Sequence, residues 1–161
     1  MTEVPLFNRR WKRFLFSGRN LALLDGYGWN DGGCWTLAEA IKIWANNERI
    51  VRLDAVWSAA IKRLDRDILN HVVVQLIAHG IYLDGDGILT FRQLVDEKMP
   101  DELVKGQCYV RPLLDMFEYS KVCESFGIEF NAKAASILAE RLEKRFGSFH
   151  QAINSIGFPL A

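Results

Sequence analysis

Three residues of this 161-residue chain have side chains suited to nucleophilic chemistry: Cys34, His71 and Asp84. Cys34 follows Gly32-Gly33 and opens an apolar stretch at helical spacing. Trp35, Ala38, Ile41 and Ala45 form one stripe, which Leu37, Ile43 and Trp44 widen. A thiol in the first turn of a buried helix faces unpaired N–H groups and the positive end of the helix dipole. Both favour the thiolate and lower the thiol's pKa. The thiolate is the nucleophile, and the two glycines let a substrate backbone come close. A free cysteine is more commonly a small buried hydrophobe, so the chemical reading depends on its partners.

Those partners are expected on a hairpin. His71-Val72-Val73-Val74-Gln75-Leu76-Ile77 is β-branched and reads as a strand with His71 at its first position. Ala78-His79-Gly80 is a turn, and Ile81 to Asp84 a second strand closed by Gly85-Asp86-Gly87. An antiparallel hairpin brings His71 and Asp84 to one end of the ladder. There the imidazole takes the thiol proton through one nitrogen while a carboxylate holds the other and fixes the tautomer. Asp86 competes with Asp84, because residues two apart share a face if the strand continues. A turn carboxylate and a solvated strand-start histidine are the simpler uses of each residue alone. His79 at the turn and His150 on the last helix are expected at the surface.

Gly32-Gly33-Cys34-Trp35 with its apolar helix, His71-Val72-Val73-Val74 and Tyr82-Leu83-Asp84-Gly85-Asp86-Gly87 together resemble the papain-like and transglutaminase-like cysteine enzymes, in particular short bacterial and phage-type members. The resemblance covers residues 26 to 95. It implies a papain-like core with Cys34 as nucleophile, His71 as general base and Asp84 as orienting residue. For the oxyanion hole, the backbone N–H of Cys34 is one candidate and the side-chain amide of Asn30 the other. The family often uses a glutamine further upstream, where this chain has Gly28, and an Asn30-Asp31 turn is the competing use. Trp29 and Trp35 flank the cysteine and are candidates to line a substrate groove, with a core role competing for Trp35. The implied activity is a cysteine-dependent amide or thioester hydrolase or acyl-transfer enzyme of peptidase, deamidase or isopeptidase type. It acts on a protein or peptide and needs no cofactor or metal. The alternatives are a phage or mobile-element protein that binds and inhibits a host protein on the same scaffold, with or without catalysis, and a structural domain with Cys34 in its core.

The elements that must position these residues read as an α+β fold, a buried helix packed on a small antiparallel sheet, with further helices at the carboxy-terminal end. One domain spans residues 1–161, with its core at about 26–100 and a helical part at about 120–161. Helical character is expected around Asn8 to Phe16. Ile50 to Trp57 suits either a strand or a helix, and Ser58 to Leu64 looks helical. Thr90 caps a short helix over Phe91 to Glu97, ended by Pro100. Asn131 caps Ala132 to Phe146, which Gly147 stops, and a last helix covers Phe149 to Ile156.

Composition narrows the function classes. Half the residues are hydrophobic and a quarter charged, the balance of an ordinary globule. Twenty acidic and twenty basic residues cancel, which argues against nucleic acid or a polybasic membrane contact. No run reaches the ~18 apolar residues of a membrane span, and Met1 to Phe16 has neither the apolar region nor the cleavage site of a secretory signal. Cys34, Cys108 and Cys123 make an odd count without CxxC pairs, so a reducing cytoplasm is expected, with Cys108 and Cys123 as buried thiols. The Asp84-x-Asp86-Gly87 string fails as a calcium loop, since Gln93 stands where a bidentate glutamate is required. Gly26-x-Gly28 lacks the third glycine of a dinucleotide fingerprint. Arg9-Arg10 with Lys12-Arg13 beside Trp11 forms a small basic patch for solvent or an acidic partner. The mixed charges from Glu140 to Arg145 read as a solvated helix face. Substrate and oligomeric state are left open.

Overall fold

The structure is a computed structural model and describes residues 3–58, 68–97, 108–113 and 130–160. Helix α1 (Glu3–Leu15) buries Phe7, Trp11 and Leu15, spaced four apart so that they fall on one stripe. Glu3 in its first turn and Lys12 and Arg13 in its last complement the helix dipole. A short helix α2 (Gly18–Leu21) and a loop lead to α3 (Cys34–Ala45), buried on nearly every side. Asn46, in the left-handed region at φ 48°, ends it.

Strands β1 (Val51–Ser58), β2 (Ile68–Leu76), β3 (Ile81–Asp84), β4 (Gly87–Leu89) and β5 (Cys108–Pro112) form one antiparallel sheet in the order β4-β3-β2-β1-β5. Its alternation is period two. Leu53, Ala55, Val72, Val74, Leu76, Leu83 and Ile88 join the core that also contains the apolar side chains of α1 and α3. Val56, Val73, Tyr82 and Leu89 form a second cluster with Leu94 of α4 (Phe91–Glu97). Both faces of the sheet are therefore covered.

Helix α5 (Ala132–Phe146) is capped by Asn131, whose side chain accepts the Ala134 N–H at 2.9 Å, and ends at Gly147 with φ 78°. Helix α6 (Phe149–Asn154) begins with a capping box between Ser148 and Gln151. The Asn131 N–H meets Thr36 Oγ1 at 3.3 Å, and the Trp44 indole N–H meets the Gly147 carbonyl at 2.9 Å. These two bonds join start to start and end to end, so α3 and α5 run side by side in the same direction.

The architecture is α+β. Several expectations change. Ile50 to Trp57, open between strand and helix, falls in strand β1 from Val51 onward. His71 is not the first residue of its strand, because β2 already starts at Ile68. The two-stranded hairpin is the centre of a five-stranded sheet whose β4 and β5 were not expected. Of the helix expected over Ser58 to Leu64, Ser58 is instead the last residue of β1, and the rest lies outside the described residues, as do the stop at Pro100, residues 120–129, Cys123 and the side chain of Cys108. Among the described residues no helix is long and apolar enough to cross a membrane.

Candidate active site

The loop before α3 sets Cys34. Gly32 has φ 93°, which favours glycine, and its neighbour Gly33 donates its N–H to the Gly28 carbonyl at 3.0 Å. A Cβ on Gly33 would sit 2.8 Å from the Gly28 carbonyl oxygen and 2.6 Å from Leu24 Cδ1. The chain therefore passes under its own turn and enters the helix with Cys34 as the first helical residue. No side chain caps this end, so its N–H groups remain available to an anion.

The sheet supplies the second contact to the sulfur. The Ile77 N–H bonds to the Ile50 carbonyl at 3.0 Å, which sets the phase of the β1–β2 ladder. Alternation along an antiparallel pair then turns the Val72 N–H away from β1, toward the side of β3. The β2–β3 pairing runs from Leu76↔Ile81 to Val74↔Leu83, and β3 ends at Asp84. The Val72 N–H has therefore lost its strand partner, and it points at the Cys34 sulfur instead, as does the Trp35 N–H.

A bulge sits beside the histidine. Val56 pairs with His71 while Trp57 pairs with Leu69, leaving Asn70 as the extra residue of β2. Such an insertion bends the strand and re-aims the side chains around it. The β2–β3 register, continued one step, sets Asp84 opposite Val73 and thus diagonal to His71 on the same face, within reach of long side chains. His71 Nε2 lies 2.8 Å from Asp84 Oδ2, and the two side chains are only 8% and 1% exposed. With Nε2 engaged, Nδ1 is the nitrogen left to meet the Cys34 thiol, with which the ring also hydrogen-bonds. Cys34, His71 and Asp84 thus form one connected chain.

Asp84 is held from two further sides. Its Oδ1 accepts the Asp86 N–H at 2.8 Å, and its carbonyl accepts the Trp11 indole N–H at 2.7 Å. Asp86 points its carboxylate toward Lys12 at 3.8 Å, so the geometry selects Asp84 over Asp86. His79 is half-buried, with Nε2 2.9 Å from the Pro159 carbonyl and its ring edge-on to Phe158, and His150 stands on α6, also half-buried, so neither is the fully exposed residue expected.

The electrostatics favour charge separation. Burial alone raises the Cys34 pKa. The hydrogen bond and charge of His71 and the N–H groups of Val72 and Trp35 outweigh it and hold the thiol below its ordinary 9.0. Burial likewise pulls His71 down. The bonds to Asp84 and Cys34, and the negative charge both carry, overcome it and push the imidazole up to about 9. Both shifts favour a thiolate beside an imidazolium.

Two expected groove residues belong to the core. Trp29 has no exposed surface and gives its indole N–H to the Leu15 carbonyl at 2.7 Å. Trp35 is 2% exposed and stacks on Phe130 at 4.2 Å between ring centroids. Rings without surface do not line a groove, so this assignment is corrected. Asn30 is exposed and its amide lies against Gly85, leaving no room there for a Cβ. It thereby bridges the loop before Cys34 and the turn after Asp84. Sequence reasoning missed the Val72 N–H and the Trp11 indole. A tryptophan within a basic run, at core spacing from Phe7 and Leu15, was the available signal, since a buried indole N–H normally finds an acceptor.

Among the described residues no three His, Cys, Asp or Glu side chains form a group fit for a metal ion. Comparison with known proteins gave no match: no family model, no curated protein and no solved structure matches the chain.

Proposed function

We propose that this chain is a cysteine-dependent enzyme of the papain-like kind that cleaves or transfers acyl groups from amides or thioesters of a protein or peptide. The reading is carried by one observation: Cys34 opens a buried helix in hydrogen-bond contact with His71, whose other nitrogen is 2.8 Å from Asp84. The motif resemblance, which rests on the same three residues and their neighbours, agrees with it.

In the first half-reaction the Cys34 thiolate attacks the carbonyl carbon, and the carbonyl π pair moves onto oxygen. The N–H of Cys34 at the uncapped helix start and the side-chain amide of Asn30 are the two candidate donors to the developing oxyanion. As the carbonyl re-forms and the C–N bond breaks, the imidazolium of His71 gives its proton to the departing nitrogen, leaving a thioester and a neutral imidazole. In the second half, that imidazole takes a proton from water or an acceptor amine as it attacks. The thiolate leaves, and the ion pair is restored. Asp84 keeps the ring oriented throughout and stabilises its positive charge. A reducing compartment such as the cytoplasm suits a nucleophile that oxidation would inactivate.

The test is intact-mass and peptide mass spectrometry of a whole-cell lysate treated with the wild type or Cys34→Ser. The expected result is a cleavage, a deamidation shift or an amine exchange that only the wild type produces, with an acyl adduct mapping to Cys34. If the two proteins leave identical lysates and no adduct forms, the enzymatic reading is rejected.

A further inference from the structure

A cavity of about 350 Å³ lies among α1, α2 and α5, and its wall carries Arg19, Arg141, Lys144 and Arg145 with no acidic side chain. The chain as a whole has equal numbers of acidic and basic residues, so four cations at one concavity are a local segregation. None of the four has a carboxylate partner among the described residues. Glu140 and Glu143 share helix α5 with Arg141, Lys144 and Arg145 but do not line the cavity.

One of these cations is held in place from inside. Asn20, 2% exposed, gives its amide N–H to the Phe14 carbonyl at 2.8 Å and accepts from Arg141 Nη1 at 3.0 Å. The same Nη1 reaches the Arg19 carbonyl at 3.2 Å. A guanidinium has five N–H donors in a rigid fork. Anchoring one nitrogen orients the rest, and Phe14 supplies an apolar wall beside them.

We propose that this cavity binds a compact phosphate polyanion, such as the di- or triphosphate part of a nucleotide-sized ligand. Its volume lies at the lower end of small-molecule sites. Four cationic side chains around one small space, with no acidic one among them, favour a ligand that carries several negative charges. Linked phosphates meet this requirement, whereas carboxylates along a peptide are spaced by the backbone. The guanidinium fork also matches phosphate bidentately. Thr36 sits level with Asn131, and Arg141 lies ten residues further along the parallel α5, roughly 15 Å down the axis. The cavity is thus separate from the triad, and the proposal does not rest on the enzymatic reading.

The probe is sodium tripolyphosphate, titrated calorimetrically into the wild-type chain at fixed ionic strength. Saturable one-to-one binding is expected. Lys144→Gln and Arg141→Gln should each weaken it about tenfold or more, as for loss of one charge-assisted hydrogen bond. Lys133→Gln, which removes an exposed cation of the same helix outside the cavity, should leave it within about twofold. Arg141→Lys, with the charge kept and the fork lost, should still weaken it. The proposal is overturned by any of three results: no saturable heat, an equal loss in Lys133→Gln, or a glutamate peptide of equal charge that binds as tightly.

Discussion

Replacing His71 with glutamine isolates the electrostatic core of the site. Glutamine keeps a hydrogen-bonding group near Asp84 Oδ2 but carries no charge, so the influences that hold Cys34 down shrink to the N–H groups of Val72 and Trp35. Burial then dominates and the thiol returns toward or above its ordinary 9.0. At pH 7 a thiol titrating near 9 is about one part in a hundred thiolate. A thiolate of higher pKa is intrinsically more nucleophilic, with a Brønsted slope of about 0.5, which returns part of that loss. The fall in Cys34 alkylation at pH 7 should therefore be smaller than the roughly hundredfold loss of thiolate. The slope is more telling. The variant's rate should climb nearly tenfold per pH unit between pH 7 and 8.5, while the wild type, whose thiol is held lower, climbs less steeply over the same range. Peptide-resolved iodoacetamide labelling measures this, with Cys108 and Cys123 as internal comparators and circular dichroism confirming the fold. Superimposable pH profiles for the two proteins would refute the ion-pair argument.

Asp84→Asn removes the negative acceptor of a buried 2.8 Å bond, so the His71 pKa should fall clearly from about 9, read by NMR titration of the ring protons; an unshifted ring would mean that Asp84 does not set its charge. Cys34→Ser removes the thiolate's hydrogen bond and charge from His71, so the ring pKa should fall from about 9 in the same NMR titration, and an unshifted ring would contradict the coupling of the pair. Gly33→Ala forces a Cβ to within 2.8 Å of the Gly28 carbonyl oxygen, and urea unfolding should show a loss of about 1–3 kcal/mol. Trp11→Phe keeps the ring contact but drops the N–H to the Asp84 carbonyl; it should lose about 1 kcal/mol of stability and slow Cys34 alkylation, and an unchanged rate would show that β3 positions Asp84 unaided.

Local signals carried the sequence reading where one residue decides an outcome. Asn131 and Gly147 bracket α5 at the expected residues because a cap and a left-handed stop act through their own hydrogen bonds and φ. The start of α3 at Cys34 follows from Gly32 and Gly33 in the same way. Long-range pairing was not legible. β5 has only five residues, Cys108 to Pro112, and exists because it pairs with β1. The start of β2 at Ile68 likewise depends on the partner Ser58 across the ladder. Closeness to Cys34 in sequence suggests a groove position for Trp29 and Trp35, but adjacent helical and loop positions point in different directions, and both rings are held in the core.

The site itself depends on what the sheet leaves unmade. Had β3 continued past Asp84, Gly85 would have taken the Val72 N–H and closed the space beside the sulfur. Instead the chain turns at Asp84, where Oδ1 accepts the Asp86 N–H and β4 pairs back through Asp84↔Gly87. The Gly85 position that ends the ladder is the one covered by Asn30 from the cysteine loop. One tight turn thus aims the carboxylate at His71, frees a backbone donor for Cys34 and docks the loop that starts the helix. A substitution that lengthens β3 by one pair should disable the thiol even with Cys34, His71 and Asp84 all intact, because the N–H that helps to hold the sulfur anionic would return to the sheet.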